Sequence, residues 1–468
     1  MGFPTTSLPA LQGATPLSVW LDDPAAPTPQ PALLFDITCD LLVVGGGYAG
    51  LWSALHAKRR DPSLDVVLVE SQTVGWAASG RNGGFVSSSL THGIGNGHSR
   101  WPGEMPLLEK LGMANLNDME DEVAGYGIDC NFERTGKLNL ATKPHQLAEL
   151  EAGAALASHY GRDLQILSAR ETRDRVDSPT YLGASYDTSG SALVNPAKLA
   201  WGLKQAALDA GVRIYEGTPV EGLRNSADVV AASTPFGTVR AKRVILATNA
   251  FPSPLTRTRL MTVPVWDYVI TTNPLTPEQK SAIGWAGREG LTDAGNEFHY
   301  YRLTEDDRIV YGGYDAIYNF GSKIDSHLDQ RPQTFEKLAG HLVATFPQLA
   351  GIGFSHTWGG AIDTNTRFFA SYGTAMGGKV GYAVGYTGLG VAATRFAADV
   401  VLDLLDGAPT ERTSLSMVKQ KAFAWPPEPA RYIGITLTKN ALARSDENEG
   451  RRGPWLKVLD RFGVGFDS

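Results

Sequence analysis

The run LLVVGGGYAGLWSAL, Leu41 to Leu55, constrains the fold more than any other stretch of the chain. Four apolar residues enter a glycine cluster, and a helix-compatible stretch leaves it. A second apolar run, LDVVLVE, extends from Leu64 to Glu70. Continuous apolar runs of this length read as strands buried on both faces. Strand, helix and strand within roughly 30 residues make a βαβ unit, which builds a parallel sheet with helices on its faces. The corner carries G-x-G-x-x-G as Gly45, Gly47 and Gly50. The first glycine makes a tight turn, the second lets backbone N–H groups approach a pyrophosphate, and the third lets the helix pack on the strand. Tyr48 and Ala49 lie in the first helical turn, whose N-terminus supplies partial positive charge. Glu70 ends the second strand, where an acid holds a ribose 2′-hydroxyl, and Ser71 follows it. An acid here opposes the extra phosphate of NADP. The competing reading is a plain strand–turn–helix corner with a solvated glutamate. Strand, glycines, helix and acid together favour a dinucleotide.

A chain of 468 residues exceeds the roughly 250–300 at which one core stops growing, so two lobes are expected. The formal net charge of −7 argues against a nucleic-acid partner, which calls for a basic face. The two cysteines, Cys39 and Cys130, form no CxxC, so neither a disulfide framework nor a structural zinc site is expected. No run of 18 apolar residues and no secretory leader pattern is present, which points to a cytoplasmic protein without a membrane span.

Residues 1–38 are proline-rich and read as an extended arm. The cofactor-type segments are interrupted by others. A discontinuous domain over 39–105, 180–255 and 355–410 is therefore expected, with a substrate domain over 106–179 and 256–354 and a helical tail over 411–468. Within this scheme Asn195-Pro196 marks a helix start, with Asn as N-cap and Pro in the first turn. A β-rich stretch runs from Val263 to Tyr314, and a tail helix is expected from about Pro429 to Ala443.

A second motif, AASGRNGGF, occupies Ala77 to Phe85 inside a long glycine-rich loop. Long loops in compact domains are usually functional. The set VVGGGYAGLW, VVLVE and GWAASGRNGGF resembles the N-terminal signature of the D-amino acid oxidase-type flavoproteins. Within that superfamily the chain is similar to the gamma-glutamylputrescine oxidoreductase branch of FAD-dependent amine oxidases. The likeness continues through VILATNAF, FHYYRLTEDDRIVYGG, WGGAID, YAVGYTGLGVAATRFAADVVLDLL and the tail GRRGPWLKVLDRFGVGFDS. It implies an α/β fold: a Rossmann-type FAD-binding domain with a second α+β substrate domain dominated by an antiparallel sheet. Gly45, Gly47, Gly50 and Glu70 would hold the ADP half of FAD. Ala78, Ser79, Arg81, Asn82, Gly83 and Gly84 match the loop beside the pyrophosphate and flavin ring. Val220 matches the position whose backbone reads the adenine. Ala247 and Asn249 would lie against the cofactor, with Trp358 and Gly359 nearby. Gly385, Tyr386, Thr387, Gly388, Leu389 and Gly390 match the turn at the flavin's pyrimidine edge. That turn also has a physical rationale: it opens a helix whose N-terminus would stabilise negative charge on reduced flavin.

Trp266, Tyr268, His299, Tyr300, Tyr301 and Arg302 are candidate substrate liners, since aromatic walls suit a desolvated amine and can capture its cation. His299 is a candidate base, and Arg302 could instead pair with an acid on its own sheet. α-Amino acid oxidases of the superfamily commonly place an arginine just after W-x-G to clamp the substrate carboxylate. Here Ala361 and Ile362 stand there, with Arg367 further on, which favours an amine over a simple α-amino acid. The C-terminal flavin segment has no cysteine, so noncovalent FAD is expected; histidines and serines between Ser87 and His98 leave another attachment open. His92 and His98 read as loop residues rather than metal ligands. The leading reading is oxidation of a primary or N-methyl secondary amine to an imine, with O2 or another electron acceptor. Dehydrogenation of a 2-hydroxy acid, or a flavoprotein without turnover, are the alternatives.

Overall fold

A computed structural model describes residues 9–461, so the start of the N-terminal arm and the end of the tail lie outside the described residues. The apolar runs of the opening unit form parallel strands Ile37–Val44 and Val66–Val69, joined by the helix Tyr48–Arg60. Parallel pairing continues to Arg213–Tyr215 on one side and to Thr238–Leu246 and Val380–Val384 on the other. Antiparallel strands complete an eight-stranded sheet. Its central strands are buried on both faces. One face packs against the helices Tyr48–Arg60, Pro196–Asp209 and Gly390–Asp406. The other is covered by Leu33, Leu255 and Met261 with their neighbours. Asn195 caps its helix as expected, accepting the Lys198 N–H at 3.1 Å.

The second sheet has nine strands and is antiparallel except where Gly290–Asp293 runs parallel to Lys137–Ala141. Its longest pairing joins Thr262–Thr272 to Phe354–Asn365, with Trp266 opposite Ala361, Asp267 opposite Gly360 and Tyr268 opposite Gly359. Side chains alternate across this sheet. Trp266, Tyr268, Ile270 and Tyr301 point to one face and pack on the helix Pro332–Thr345 through Phe335 and Leu338. Val269, Val310, Trp358 and Tyr300 point to the other, which meets Trp20 and Ala197 against the first lobe. The site lies along this second face.

Two strands depart from the expected division. Gly183–Asp187 and Phe354–Asn365, placed by sequence with the cofactor segments, are hydrogen-bonded into the second sheet. Both are interrupted by glycine or polar residues, so their partner sheet is set by long-range pairing. The tail helix spans Ala430–Glu447, with Asp446 accepting the Glu297 N–H at 2.8 Å beside the second sheet. Among the described residues no helix is long and apolar enough to cross a membrane.

Candidate cofactor and substrate site

The glycine corner is built as a cradle. Gly45 has φ +113°, and a Cβ there would lie 2.5 Å from the Ala247 carbonyl oxygen. That contact brings the end of Thr238–Leu246 directly over the corner. A Cβ on Gly50 would lie 1.9 Å from the Gly45 oxygen, so helix and turn meet at backbone contact. Gly45, Gly47 and Ala49 stay part-exposed between buried neighbours, and the Tyr48 side chain turns inward to donate to the Pro196 carbonyl at 2.7 Å. The first free N–H of the helix, on Tyr48, meets the Ser79 hydroxyl at 3.0 Å. Ser79 thus stands at the positive end of the helix dipole, where a pyrophosphate would be received.

Glu70 is 7% exposed, and its carboxylate accepts from the Gly46 N–H at 2.7 Å and from the Ser71 hydroxyl, Gln72 N–H and Trp76 indole at 2.9 Å each. It is thereby fixed at the rim of the corner. Thr218 donates its N–H to the Glu70 carbonyl, bringing the segment that leads to half-buried Val220 alongside. Asn249 takes φ +50°, and the Trp76 and Phe251 rings lie 5.1 Å apart across the cleft. The buried Thr248 hydroxyl has no partner among the described residues. An orphaned hydroxyl, a cradle that admits no Cβ and a helix N-terminus that its own N-cap residue does not cap fit an adenine dinucleotide.

The second motif is held rigidly. Asn82 spends its carboxamide on the Ala78 and Ser79 carbonyls and on the Gly84 N–H. Arg81 is anchored by Asp329 at 2.6 Å and by the Trp76 carbonyl at 2.8 Å. From the N-terminal arm, the Trp20 indole donates to the Asn82 carbonyl at 3.0 Å and Ser18 to that of Gly80 at 3.1 Å. The arm is therefore a buried clamp on this loop, which its proline content did not suggest. A Cβ on Gly83 would strike the Tyr300 ring at 2.6 Å, so the loop lies directly on the second sheet.

At the far end, Gly385 has φ +84°, Thr387 φ +51° and Gly388 φ +88°, and the helix begins at Gly390 after Leu389. Beneath the turn lies Asp363, 2% exposed, whose carboxylate accepts the Gly385 N–H at 2.6 Å, close to the Tyr386 amide, and whose backbone carbonyl accepts the Thr387 N–H at 3.2 Å. Burial pushes its pKa up to about 7 against the pull of those amides. His92 reaches the Thr387 carbonyl at 2.9 Å, whereas His98 faces Tyr160, so the two histidines serve different neighbours.

The substrate face corrects several expectations. Trp266, Tyr268 and Tyr301 lie on the core face, as alternation in their strands requires. His299 faces the same side, between Asp293 at 2.6 Å and His341 at 2.8 Å. Arg302 does face the first lobe, but it is 2% exposed, donates to the Val194 and Gly84 carbonyls and lies over the Trp20 ring. It serves the contact between lobes and pairs with no acid on its sheet. Trp358 donates to the Arg81 carbonyl at 2.8 Å, holding the loop, and Gly359 is packed under Tyr268 on the core face. Gly360 instead faces the cleft. Of the sequence candidates only Tyr300 lies part-exposed there, with its hydroxyl 2.5 Å from Asp267. Asp267, Asp363 and Trp20 escaped the sequence reading. For Asp267 a usable signal existed: it alternates with two aromatic residues in one strand.

A parallel sheet with a dinucleotide corner at one end, a helix N-terminus at the other and an antiparallel substrate sheet alongside defines a two-lobed, dinucleotide-dependent oxidoreductase. The family described as DAO, FAD dependent oxidoreductase, matches residues 40–404, and the chain belongs to that family; its cofactor is FAD. The gamma-glutamylputrescine oxidoreductase of Escherichia coli is 33% identical over 79% of this chain and 84% of its own length. A probable oxidoreductase, OrdL, of Rhizobium meliloti is 28% identical over 90% and 92%. Glycine oxidase from Geobacillus kaustophilus shares the fold with a TM-score of 0.65 at 20% identity, covering 80% of this chain and 96% of that one.

Proposed function

We propose that the protein oxidises a C–N bond of a primary or N-methyl secondary amine to an imine, which water hydrolyses to an aldehyde. One observation carries this reading. The two arginines packed at the loop and the second sheet are already committed, Arg302 to two carbonyls and Arg81 to Asp329, and Arg367, beyond the end of the strand Phe354–Asn365, donates to Gln420. The positions after Trp358 that face the cleft are Gly360 and Ile362, which offer no cation. The 33% identity to an enzyme named for gamma-glutamylputrescine supports an amine distant from any carboxylate.

When bound, FAD supplies the hydride acceptor. The protein's own part is to hold, orient and exclude water. Gly45 to Gly50, Ser79 and Glu70 would hold the adenylate half. The turn from Gly385 to Gly390 would present a helix N-terminus to the flavin's polar edge, with Asp363 fixing that turn from below. The clamp of Trp20, Asn82 and Trp358 keeps the loop from Ala78 to Gly84 pressed on the sheet, which closes the cleft to water. The two buried unpaired cysteines suit a reducing compartment, so the cytoplasm is the proposed location. O2 or another acceptor would reoxidise the cofactor.

The test is anaerobic mixing of the FAD-loaded protein with primary amines, N-methyl amines, α-amino acids and 2-hydroxy acids, read at the visible flavin band. Bleaching by amines with release of ammonia or methylamine is the expected result. Bleaching by 2-hydroxy acids alone would defeat the reading, and no bleaching by any compound would leave a flavoprotein without turnover. Noncovalent attachment predicts that acid precipitation leaves all the flavin in the supernatant.

A further inference from the structure

Asp267 stands out on the cleft face of the second sheet. Its cross-strand neighbour is Gly360, and Gly312 lies on the adjoining strand, opposite Val269 and Tyr300. Gly360 leaves room beside the carboxylate, with Arg81 the nearest side chain at 3.9 Å from where a Cβ on that glycine would lie, and Gly312 makes room for the Tyr300 ring. A Cβ on Gly312 would lie 2.6 Å from the Tyr300 ring, so that ring is fixed against the strand, with Phe85 edge-on at 5.9 Å. The Tyr300 hydroxyl donates to Asp267 Oδ2 at 2.5 Å, and the nearby Tyr268 and Gly313 amides favour its charged form. A carboxylate offers about four lone-pair directions, so acceptor capacity remains for a ligand. No ion pair involving Asp267 occurs among the described residues, whereas the nearby Arg81 is neutralised by Asp329. Burial of this unpaired acid raises its pKa to about 6. An anion held half-buried in a cleft without a cation of its own is suited to one brought by a ligand.

We propose that Asp267, oriented by Tyr300, receives the ammonium group of the substrate, and that the substrate class is therefore a cationic aminoalkyl compound. This rests on the amine-oxidising reading above. Binding pairs R–NH3+ with the carboxylate. A proton then passes from nitrogen to the free oxygen, breaking one N–H bond and forming one O–H bond. The products are a neutral amine with its lone pair available and a neutral carboxyl group. No electrons change hands in this step, and the C–H bond is broken only afterwards. Tyr300 remains protonated throughout, since burial and the adjacent Asp267 hold its pKa well above 10.0.

The experiment titrates the FAD-loaded protein with n-butylammonium, gamma-glutamylputrescine and the neutral analogue 1-butanol, following the perturbation of the flavin band. The wild type should bind n-butylammonium at least about tenfold more tightly than 1-butanol. Asp267→Asn should erase most of that preference, as loss of a buried charge partner does, while leaving FAD content and 1-butanol binding unchanged. Tyr300→Phe should weaken amine binding several-fold, and Asp267→Glu should retain part of it. Equal wild-type affinity for the cation and the alcohol would overturn the proposal, as would wild-type affinity in Asp267→Asn. If that variant fails to fold, the wild-type comparison and Tyr300→Phe decide. A wild type reduced by amines with an indifferent Asp267 defeats only this inference. A wild type reduced by no amine defeats the functional reading as well.

Discussion

Asp363 shows how a residue present only as the last letter of the WGGAID run shapes a site. Its pKa is about 7 in the folded protein against 3.8 for an ordinary aspartate, so between those values the native state holds more protons than the unfolded chain. Its favourable contribution is full below about pH 4 and is lost as the pH rises through 7. Asparagine cannot titrate. The stability of FAD-loaded wild type relative to Asp363→Asn, read from thermal melts, should therefore fall from pH 5 and level off above about pH 7, by an amount on the order of a few kcal/mol at most. A constant difference across that range would show that the carboxyl is not displaced. Gly50→Ala tests the corner itself. Its methyl would need the Gly45 carbonyl to move, so a loss of about 1–3 kcal/mol and weaker FAD retention are expected in thermal melts and flavin content. Gly50 was legible in the sequence because its spacing to Gly45 is local. Asp363 was not, because its significance depends on amides more than twenty residues away.

At the scale of elements, the helices and the first strands followed from local pattern. The helix after Asn195 starts where its cap says, and the helix after the C-terminal glycine turn runs Gly390–Asp406, close to its expected length. The strand Thr262–Thr272 was legible as a strand, but the face each residue takes depends on which side meets the helix Pro332–Thr345. Aromatic residues suited to a substrate wall turned out to be core, because on that side a helix covers them. The N-terminal arm was legible only as irregular chain. Its Trp20 is 4% exposed and reaches the functional loop through one hydrogen bond. Trp20→Ala should cost about 3 kcal/mol of stability and loosen the Ala78–Gly84 segment. Limited proteolysis near the arm should accelerate and FAD should dissociate faster; unchanged flavin release would show that the arm only packs.

For the whole molecule, FAD should act as part of the fold, since the cradle proposed for it joins segments from both ends of the chain. A ligand bound only by the native state stabilises it by about 2.7 kcal/mol at a free concentration one hundred times its Kd. Protein stripped of FAD should therefore melt lower, and its melting temperature should climb with the logarithm of added FAD. A melting temperature indifferent to FAD would mean that the cradle is formed and stable without it. The amino-acid sequence by itself determined the parallel sheet, the dinucleotide corner and the glycine turn at the other end. Those features are written in short-range spacing: buried apolar runs, glycines where the backbone must approach closely, and caps at helix starts. Only the tertiary structure decided which residues meet in the cleft. Asp267, Tyr300 and Gly83 come from three separate segments, and the face each presents is set by sheet pairing and by the layer that packs behind it, neither of which has a local signature.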